Sequence, residues 1–221
     1  MPVRAYVFDA YGTLFDVHAA IARHREAAGP DADRFSDIWR VKQLEYAWML
    51  SAAGHYVDFW TLTERALDYA LARCPSVDRA LRVSLLEAYF KLDAFADARA
   101  ALKALKGKGL RTAILSNGSP RMLDGAVTAA GIGADLDAVL SVDTIRIYKP
   151  QPPVYAMVTD RFKVAPADVA FVSSNRWDVM GAIAFGFRCI WVNRANLPDE
   201  YPEFAPAKVV RDLASLATLT L

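Results

Sequence analysis

The first apolar segment of the chain is followed by a long stretch of helical periodicity. Residues 5–8 are all apolar and are followed by Asp9 and then by Gly12, which predicts a buried strand that ends in a turn. After Asp16 the apolar residues recur at helical spacing, which predicts successive helices at about 17–28, 33–52, 59–72 and 77–92. Helices that follow one another without a strand signal between them do not fit a regular alternation of strands and helices.

The remainder of the chain alternates between short apolar runs and helical segments. The runs predict strands at 111–115, 138–141, 169–173 and 188–192, and the segments around them predict helices at 97–106, 120–130, 153–162 and 177–185. This alternation is typical of an α/β fold with a doubly wound, Rossmann-like parallel sheet that carries helices on both faces. Because the first strand fits the same sheet, we expect a core of residues 1–16 and 94–221 with an inserted helical cap domain of residues 17–93.

The position of the insertion relates it to Asp9. Ligands of open α/β sheets bind at the carboxyl ends of the strands, where Asp9 is expected to lie. An insertion that starts directly after this strand emerges at the same edge, so the helical segment is expected to cover a site there. From the first strand alone, Asp9 is either a turn-capping residue or a nucleophile or metal ligand.

Composition narrows the class of protein. A chain of 221 residues, 54% of them hydrophobic, is suited to one core with a sizeable insertion. A formal net charge of +1 gives no reason to expect nucleic acid or a membrane surface as a partner. Cys74 and Cys189 lie far apart, which indicates buried thiols rather than a disulfide framework. Residues 1–4 lead directly into the first strand and no apolar run has the length of a membrane span, so we expect a cytoplasmic protein.

Polar clusters follow the later predicted strands or their connections. They are Ser116-Asn117-Gly118, Lys149-Pro150, and Ser173-Ser174-Asn175 with Asp178. Each cluster taken alone is explained by helix capping, a surface turn or a favourable charge in a first helical turn. Their common position at one edge of one parallel sheet favours a functional site built around Asp9.

On these residues the chain resembles the haloacid dehalogenase superfamily. Asp9 matches its nucleophile motif, Ser116 its second motif, Lys149 its third and residues 173–178 its fourth. Most members are phosphatases, in which the residue two after the nucleophile is a second aspartate that acts as an acid and helps to place magnesium. Here that residue is Tyr11, and a phenol with an ordinary pKa of about 10 is a poor acid near neutral pH. Residues 173–175 also lack the carboxylates that magnesium prefers, so we expect no metal and no cofactor.

A narrower pattern is similar to the L-2-haloacid dehalogenases. It comprises residues 9–17, 39–40, 43–46, 116–119 and 173–178. The resemblance implies that Asp9 attacks C2 of a short L-2-haloacid from the side opposite the halogen and forms an ester. Water then hydrolyses this ester and releases a D-2-hydroxy acid, which is covalent catalysis by a carboxylate.

The resemblance gives Arg40 and its neighbours roles toward the substrate. Helical spacing places Val41, Leu44 and Trp48 on one apolar face beside Arg40. By itself Arg40 is interpreted as a cation whose stem covers this face; by resemblance it is a finger from the cap that meets the leaving halide. Asn117 would share that role beside the apolar wall of Phe59, while Ser116 and the backbone amides beside Tyr11 would hold the substrate's carboxylate. The other residues expected around the substrate are Ala10, Leu44, Tyr155 and Trp177.

The same resemblance gives Asp9 its supporting residues. Thr13 would orient Asp9, and the nearby charge of Lys149 would keep it ionised, with Tyr155 and Ser173 in support. Asn175 and Asp178 would position or activate the hydrolytic water, a task whose division between Asp178 and Lys149 is left open. Ala10 is smaller than expected at its position and would alter the pocket size, and Trp177 is either pocket lining or core.

Two other functions compete with dehalogenation. One is a magnesium-dependent phosphatase of the same superfamily, and the other is a non-catalytic protein that holds a small carboxylate under the cap. Relatives of the dehalogenase type are commonly homodimers, so a homodimer is expected. His18, His24 and His55 lie outside the matched motifs and their spacings do not predict a metal site.

Overall fold

A parallel β-sheet lies at the centre of the molecule. The computed structural model describes residues 3–221, and the strands of the sheet are Ala5–Phe8 (β1), Arg111–Ser116 (β2), Ala138–Ser141 (β3), Val169–Ser173 (β4), Arg188–Val192 (β5) and Lys208–Val210 (β6). They pair in the order β3-β2-β1-β4-β5-β6, and every pairing is parallel. The chain leaves β1 toward one side for β2 and β3 and returns to the other side for β4, so the direction of winding reverses beside β1. The carboxyl end of β1 is therefore the topological switch point, where open α/β sheets bind ligands.

Helices precede, connect and cover the strands. The α-helices are Ala19–Ala22 (α1), Arg25–Ala28 (α2), Ala32–Ala52 (α3), Phe59–Arg73 (α4), Arg82–Phe90 (α5), Ala98–Gly107 (α6), Pro120–Ala130 (α7), Pro152–Phe162 (α8) and Arg176–Phe185 (α9). The segment between β1 and α6 contains helices, turns and isolated β-bridges but no strand, with α3 packed on α4. The predicted α/β fold with a helical region is confirmed.

The central strands are buried along their whole length. All of β1 and β4 is shielded from solvent, because helices cover both faces of the sheet. This explains why these strands are continuous apolar runs in the sequence rather than alternating ones. Gly12 follows β1 with a φ of +94°, a conformation that a side chain strongly disfavours, so the glycine permits the turn beyond Asp9.

The prediction of one helix over residues 17–28 is wrong. The chain forms the short helices α1 and α2, separated by Arg23 and His24. The amide of His24 donates to the carbonyl of Ile21, only three residues back, and Arg23 pairs with Asp93. These contacts tighten the chain and end the first helix.

The predicted helix at 77–92 is likewise shorter than expected. Asp78 accepts a hydrogen bond from the amide of Ala80 and begins a 3₁₀ turn at Arg79–Leu81, after which α5 extends only to Phe90. Strand β6 has no counterpart among the predicted elements. It contains three residues, two of them exposed, and is too short to produce a periodic pattern.

The face of α3 that carries Val41, Leu44 and Trp48 is not its core face. Val41 is 58% exposed, and the buried positions include Trp39, Gln43 and Ala47. Polar Gln43 thus occupies a core position of the helix.

Within residues 3–221, no helix is long and apolar enough to cross a membrane.

Candidate active site

Asp9 lies directly after β1 and its carboxylate is held by donors from three parts of the chain. Oδ2 accepts hydrogen bonds from Thr13 Oγ1 at 3.1 Å and from Asn175 Nδ2 at 2.7 Å, and Oδ1 accepts one from Lys149 Nζ at 3.1 Å. The residue is 5% exposed. A nearly buried carboxylate with several donors is the arrangement of a preorganised anionic group rather than of a simple turn cap.

Lys149 lies between two carboxylates. Its ammonium is 3.1 Å from Asp9 Oδ1 and 2.7 Å from Asp178 Oδ2, and the Lys149 and Asp178 side chains are fully shielded from solvent. The other oxygen of Asp178 accepts a hydrogen bond from Tyr155 OH at 2.8 Å. A single cation therefore links Asp9 to a second, deeply buried carboxylate.

The burial of this cluster shifts its proton equilibria. Burial raises the pKa of Asp178 to about 6, an effect that the charge of Asp9 reinforces and that Lys149 and Tyr155 partly offset. Burial alone would lower the pKa of Lys149, but the adjoining charges of Asp178 and Asp9 outweigh it and raise the pKa above its ordinary value. Near neutral pH the ammonium stays charged, while Asp178 titrates in a range where it is able to exchange a proton.

The loop after β4 brings Asn175 to Asp9. Ser173 Oγ accepts the amide of Asn175 at 3.1 Å, which turns the chain at the start of α9. Thr13 Oγ1 accepts the amide of Ser174 at 2.8 Å and donates to Asp9. Thr13 therefore ties the loop after β1 to the loop after β4.

Arg40 reaches the site from α3. Its Nη2 donates to the carbonyl oxygen of Tyr11 at 3.1 Å, and the same oxygen accepts a hydrogen bond from Asn175 Nδ2 at 3.1 Å. Its Nη1 donates to Gln43 Oε1 at 2.8 Å. A crevice of about 340 Å³ is lined in part by Gly12, Arg40 and Asn175. Arg40 and Asn175, which donates a hydrogen bond to Asp9, therefore border the same space.

Aromatic side chains form an apolar wall beside Tyr11. The Tyr11 ring stacks on Tyr89 at a centroid distance of 5.9 Å and lies 6.2 Å from Phe59, which is the first residue of α4 because Asp58 caps that helix. Burial raises the pKa of Tyr11 well above its usual range, so its phenol keeps its proton. A Cβ on Gly118 would lie 2.7 Å from the Tyr11 ring, and the glycine is therefore needed for this packing.

The loop after β2 supplies Ser116 and Asn117. Ser116 is fully buried, and its Oγ accepts the amide of Gly118 at 3.0 Å, which leaves its hydroxyl proton for another acceptor. Asn117 Oδ1 accepts the amide of Lys149 at 3.1 Å, so its side-chain NH₂ is the donor that remains. Both residues keep a donor that an anion could use.

Other predicted residues differ from expectation in their contacts. Tyr155 was expected to support Lys149 and to lie at the substrate, but its hydroxyl is fully buried and bonds to Asp178, which places it behind the lysine. Ser173 bonds to the backbone of Asn175 and supports that loop rather than Lys149.

The apolar residues assigned to the pocket occupy different environments. Ala10 is buried, and its carbonyl oxygen accepts amides of the following turn. Leu44 is half-buried on α3. Trp177 is half-buried 5.2 Å from Trp48 and lines a groove of about 370 Å³ together with Lys149, so of its two interpretations the structure favours pocket lining.

Three polar residues of this region have no assigned role in the sequence-based prediction, although Gln43 belongs to the matched segment 43–46. They are Gln43, Thr63 and Tyr89, which link Arg40 to the interior of the helical segment. The available signal was the position of Gln43, since a glutamine on the buried face of a helix requires partners.

The residues around Asp9 do not form a set of metal ligands of the usual kind. Within residues 3–221, no group of three His, Cys, Asp or Glu side chains is arranged to hold a metal ion. Lys149 lies between the Asp9 and Asp178 carboxylates. A reaction without metal or cofactor stays a prediction.

Comparisons with known proteins identify the relatives of this chain. Residues 3–186 match the haloacid dehalogenase-like hydrolase family. The (S)-2-haloacid dehalogenase 1 of Pseudomonas sp. (strain CBS-3) is 49% identical over 99% of this chain and 95% of the relative, and the (S)-2-haloacid dehalogenase 4A of Burkholderia cepacia is 47% identical over 93% and 89%. The structure of the L-2-haloacid dehalogenase of Xanthobacter autotrophicus with chloropropionic acid covalently bound superposes with a TM-score of 0.87, at 38% identity over 98% of both chains. The chain therefore belongs to the L-2-haloacid dehalogenases of the haloacid dehalogenase superfamily.

Proposed function

We propose that this protein is an (S)-2-haloacid dehalogenase. It hydrolyses short L-2-haloalkanoic acids to D-2-hydroxy acids and halide, with inversion, through an ester on Asp9. The observation that carries the proposal is the Asp9 carboxylate, held by Lys149, Thr13 and Asn175 while Tyr11 stands where a phosphatase has its acid. The covalent adduct in the Xanthobacter relative supports an ester intermediate.

In the first step the Asp9 carboxylate attacks C2 as the carbon–halogen bond breaks. The halide leaves with the bonding electron pair, and Arg40 and Asn117 stabilise it beside Phe59. Arg40 is suited to this role because its partners Gln43 and the Tyr11 carbonyl are both neutral. Fixed donors in a site that excludes water stabilise a developing anion more strongly than water does.

The substrate's carboxylate is held at the end of β2 and in the turn after β1. Ser116 donates its free hydroxyl proton, and the backbone amides beside Tyr11 complete the binding. Ala10, Leu44 and Trp177 surround the alkyl chain, and the groove beside Trp177 and Lys149 leaves room for its substituents. The substrate that binds between these residues is a small 2-haloacid.

In the second step a water molecule attacks the ester carbonyl of Asp9, which returns the free carboxylate and releases the hydroxy acid. Asn175 positions the water, and Asp178 accepts its proton and passes it to the departing alkoxide oxygen of the hydroxy acid. The second proton of the water is released to solvent as Asp9 returns to its ionised form. Lys149 is unsuited to that task, because its raised pKa keeps it protonated near neutral pH, whereas Asp178 has a pKa of about 6. Tyr155 and Ser173 act as positioning residues for Asp178 and Asn175.

The helical segment of residues 17–93 acts as a cap over residues 1–16 and 94–221. Several hydrogen bonds join the two parts: Arg40 to the Tyr11 carbonyl, Tyr56 OH to Asp143 Oδ1 at 2.6 Å, and Gln151 Nε2 to Ser51 Oγ at 2.9 Å. These contacts hold the helical segment against the part of the chain that carries Asp9, which is 5% exposed.

We also propose that the protein works in the cytoplasm as a homodimer. Val41 and Met49 on α3 are 58% and 60% exposed, and a second copy of the chain would cover such apolar side chains. Sedimentation equilibrium measures the mass directly, and a monomer across the micromolar range would reject the dimer.

The decisive test combines enantiomer selectivity with isotope labelling. Protein treated with chelator is incubated with each enantiomer of 2-chloropropionate, and we expect chloride and D-lactate from the L form only. In a single turnover in ¹⁸O water, the label should enter the Asp9 carboxylate. Label that goes directly to the product would instead mean attack by water on the substrate.

Matched variants separate the nucleophile from a general effect on folding. Asp9→Asn should abolish turnover, whereas Asp168→Asn, which changes a buried aspartate next to the start of β4 at the opposite edge of the sheet, should keep it. Absence of chloride from the wild type would reject dehalogenation. Magnesium-dependent phosphate release from phosphate esters would favour a phosphatase, and binding without turnover would favour a carboxylate-binding protein.

A further inference from the structure

The guanidinium of Arg40 is oriented by acceptors that carry no charge. Nη1 donates to the side-chain amide oxygen of Gln43 and Nη2 to the backbone carbonyl of Tyr11. Among residues 3–221, no carboxylate lies within 4.0 Å of this guanidinium. A half-buried arginine without an acidic partner keeps its full charge for an anion that enters the site.

The amide orientation of Gln43 follows from its neighbours. Thr63 Oγ1 donates its only proton to the carbonyl of Phe59 at 2.7 Å, so it can only accept from Gln43, and the atom 2.6 Å away must be Nε2. Oε1 then faces two donors, Arg40 Nη1 at 2.8 Å and Tyr89 OH at 3.1 Å. This series of hydrogen bonds begins at the Phe59 carbonyl and fixes the orientation of the Thr63 hydroxyl, the Gln43 amide and the Arg40 guanidinium in turn.

The surroundings favour a rigid network. Gln43 is 1% exposed, Thr63 is fully buried and Tyr89 is 3% exposed. Burial raises the pKa of Tyr89, so its hydroxyl stays protonated and serves as a donor to Gln43. Trp39 Nε1 donates to the carbonyl of Thr63 at 2.9 Å and holds α3 against α4 at this level.

We propose, resting on the dehalogenase function above, that Gln43 is a positioning residue whose amide, locked by Thr63, aims the Arg40 guanidinium at the leaving halide without neutralising it. A glutamate at this position would accept a similar hydrogen bond from the Arg40 guanidinium, but its negative charge would also neutralise the positive charge of Arg40. The neutral amide therefore supplies the orientation while the full cation remains for the halide.

The test is Gln43→Glu, which keeps the shape of the side chain and an oxygen for Arg40. Halide release in the first turnover is measured for L-2-chloropropionate and L-2-bromopropionate. We expect the rate with the chloro substrate to fall by about ten- to a hundredfold, the range of a charge-assisted hydrogen bond. The bromo substrate should lose less, because bromide is the better leaving group and needs less stabilisation, so the bromide-to-chloride rate ratio rises.

Thr63 provides an independent variant with a conservative rescue. Thr63→Val keeps the shape but removes the oxygen that anchors the Gln43 amide, so the amide is free to turn its NH₂ toward Arg40. It should raise the same rate ratio, whereas Thr63→Ser, which keeps the hydroxyl, should restore it. Asn196→Asp makes the same amide-to-carboxylate change at an exposed residue whose side-chain oxygen accepts a hydrogen bond from Arg211, away from Arg40, and should leave the ratio at the wild-type value.

The outcomes distinguish the proposal from the function on which it rests. If the wild type releases halide but folded Gln43→Glu and Thr63→Val keep its rate ratio, the positioning role is rejected. Equal losses with both substrates would also reject it, because they would reflect a general structural defect. If Gln43→Glu does not fold, Thr63→Val against Thr63→Ser decides the matter. Failure of the wild type to release halide would instead reject dehalogenation itself.

Discussion

Lys149 and Asp178 form an ion pair from which solvent is fully excluded, with Nζ 2.7 Å from Oδ2. The ammonium also bonds to Asp9, so the pair connects the proposed nucleophile to the proposed base. Burying two charges is costly, and such a pair is retained only when its partners satisfy each other closely. One ammonium thus joins Asp9 to a carboxylate whose pKa is raised, and the titration of that carboxylate should be visible in the kinetics.

The protonation of Asp178 predicts the acid limb of the pH profile. Its carboxylate form is the base in ester hydrolysis, and its pKa is about 6, so kcat should be near its plateau above this pH and fall as the pH decreases through it. The measurement is the pH dependence of the single-turnover rate of ester hydrolysis. If the rate of ester hydrolysis does not change between pH 5 and 7, where the protein must first be shown to stay folded, Asp178 is excluded as the base.

Removing the hydroxyl of Tyr155 should shift the acid limb of the pH–rate profile. Tyr155 OH donates to Asp178 Oδ1 and lowers the pKa of that carboxyl, so Tyr155→Phe should raise the pKa and shift the acid limb to higher pH. The rate at pH 6 should then fall more than the rate at pH 8. Tyr148→Phe is the matched control, since its hydroxyl donates to the carbonyl of Val57 instead, and an equal shift in both variants would contradict the assignment.

The sheet could be predicted from sequence because its central strands are buried on both faces. Ala5–Phe8, Val169–Ser173 and Arg188–Val192 coincide with the predicted strands, since apolar runs bounded by turn residues leave little ambiguity. The edge strand Ala138–Ser141 also coincides with its prediction, although most of it is partly exposed. Strand β6 escaped prediction, because it is a short and mostly exposed edge strand. At the break at Arg23 and His24, Arg23 pairs with Asp93, which is remote in sequence, and no local pattern indicates this contact.

The site was predictable to the extent that it follows from strand ends. Asp9, Lys149 and Asp178 meet because the carboxyl ends of parallel strands lie on one edge, which a sequence pattern can indicate. The partner of Tyr155 was not predictable, because it depends on how α8 packs against α9. Gln43 and Tyr89 lie 46 residues apart on different helices, and no local pattern relates them.

The close packing of Tyr11 against Gly118 predicts that a methyl group added at position 118 impairs substrate binding. A Cβ at position 118 would lie 2.7 Å from the Tyr11 ring and 3.4 Å from Leu123, so Gly118→Ala must displace the ring from its stack on Tyr89. Because Tyr11 borders the proposed carboxylate-binding turn, KM for L-2-chloropropionate should rise by about tenfold, in the range of one misplaced hydrogen bond. Gly107→Ala is the control, since nothing lies within 4 Å of its Cβ. Unchanged KM in folded Gly118→Ala would show that Tyr11 does not shape the substrate site.

Loss of the buried cation should destabilise the protein in a pH-dependent way. Lys149→Met leaves Asp9 and Asp178 adjacent without a counter-charge, and breaking such a buried pair costs about 3–5 kcal/mol at neutral pH. Without Lys149 the pKa of Asp178 rises further above that of the unfolded chain, so the folded state binds the extra proton and the variant should regain stability as the pH falls from 7 to 5. Lys106→Met removes the half-exposed partner of Asp137 and should cost about 1 kcal/mol or less. Urea unfolding at both pH values measures the difference, and a Lys149→Met variant that is as stable as Lys106→Met at pH 7 would contradict the expectation that the two carboxylates depend on this cation.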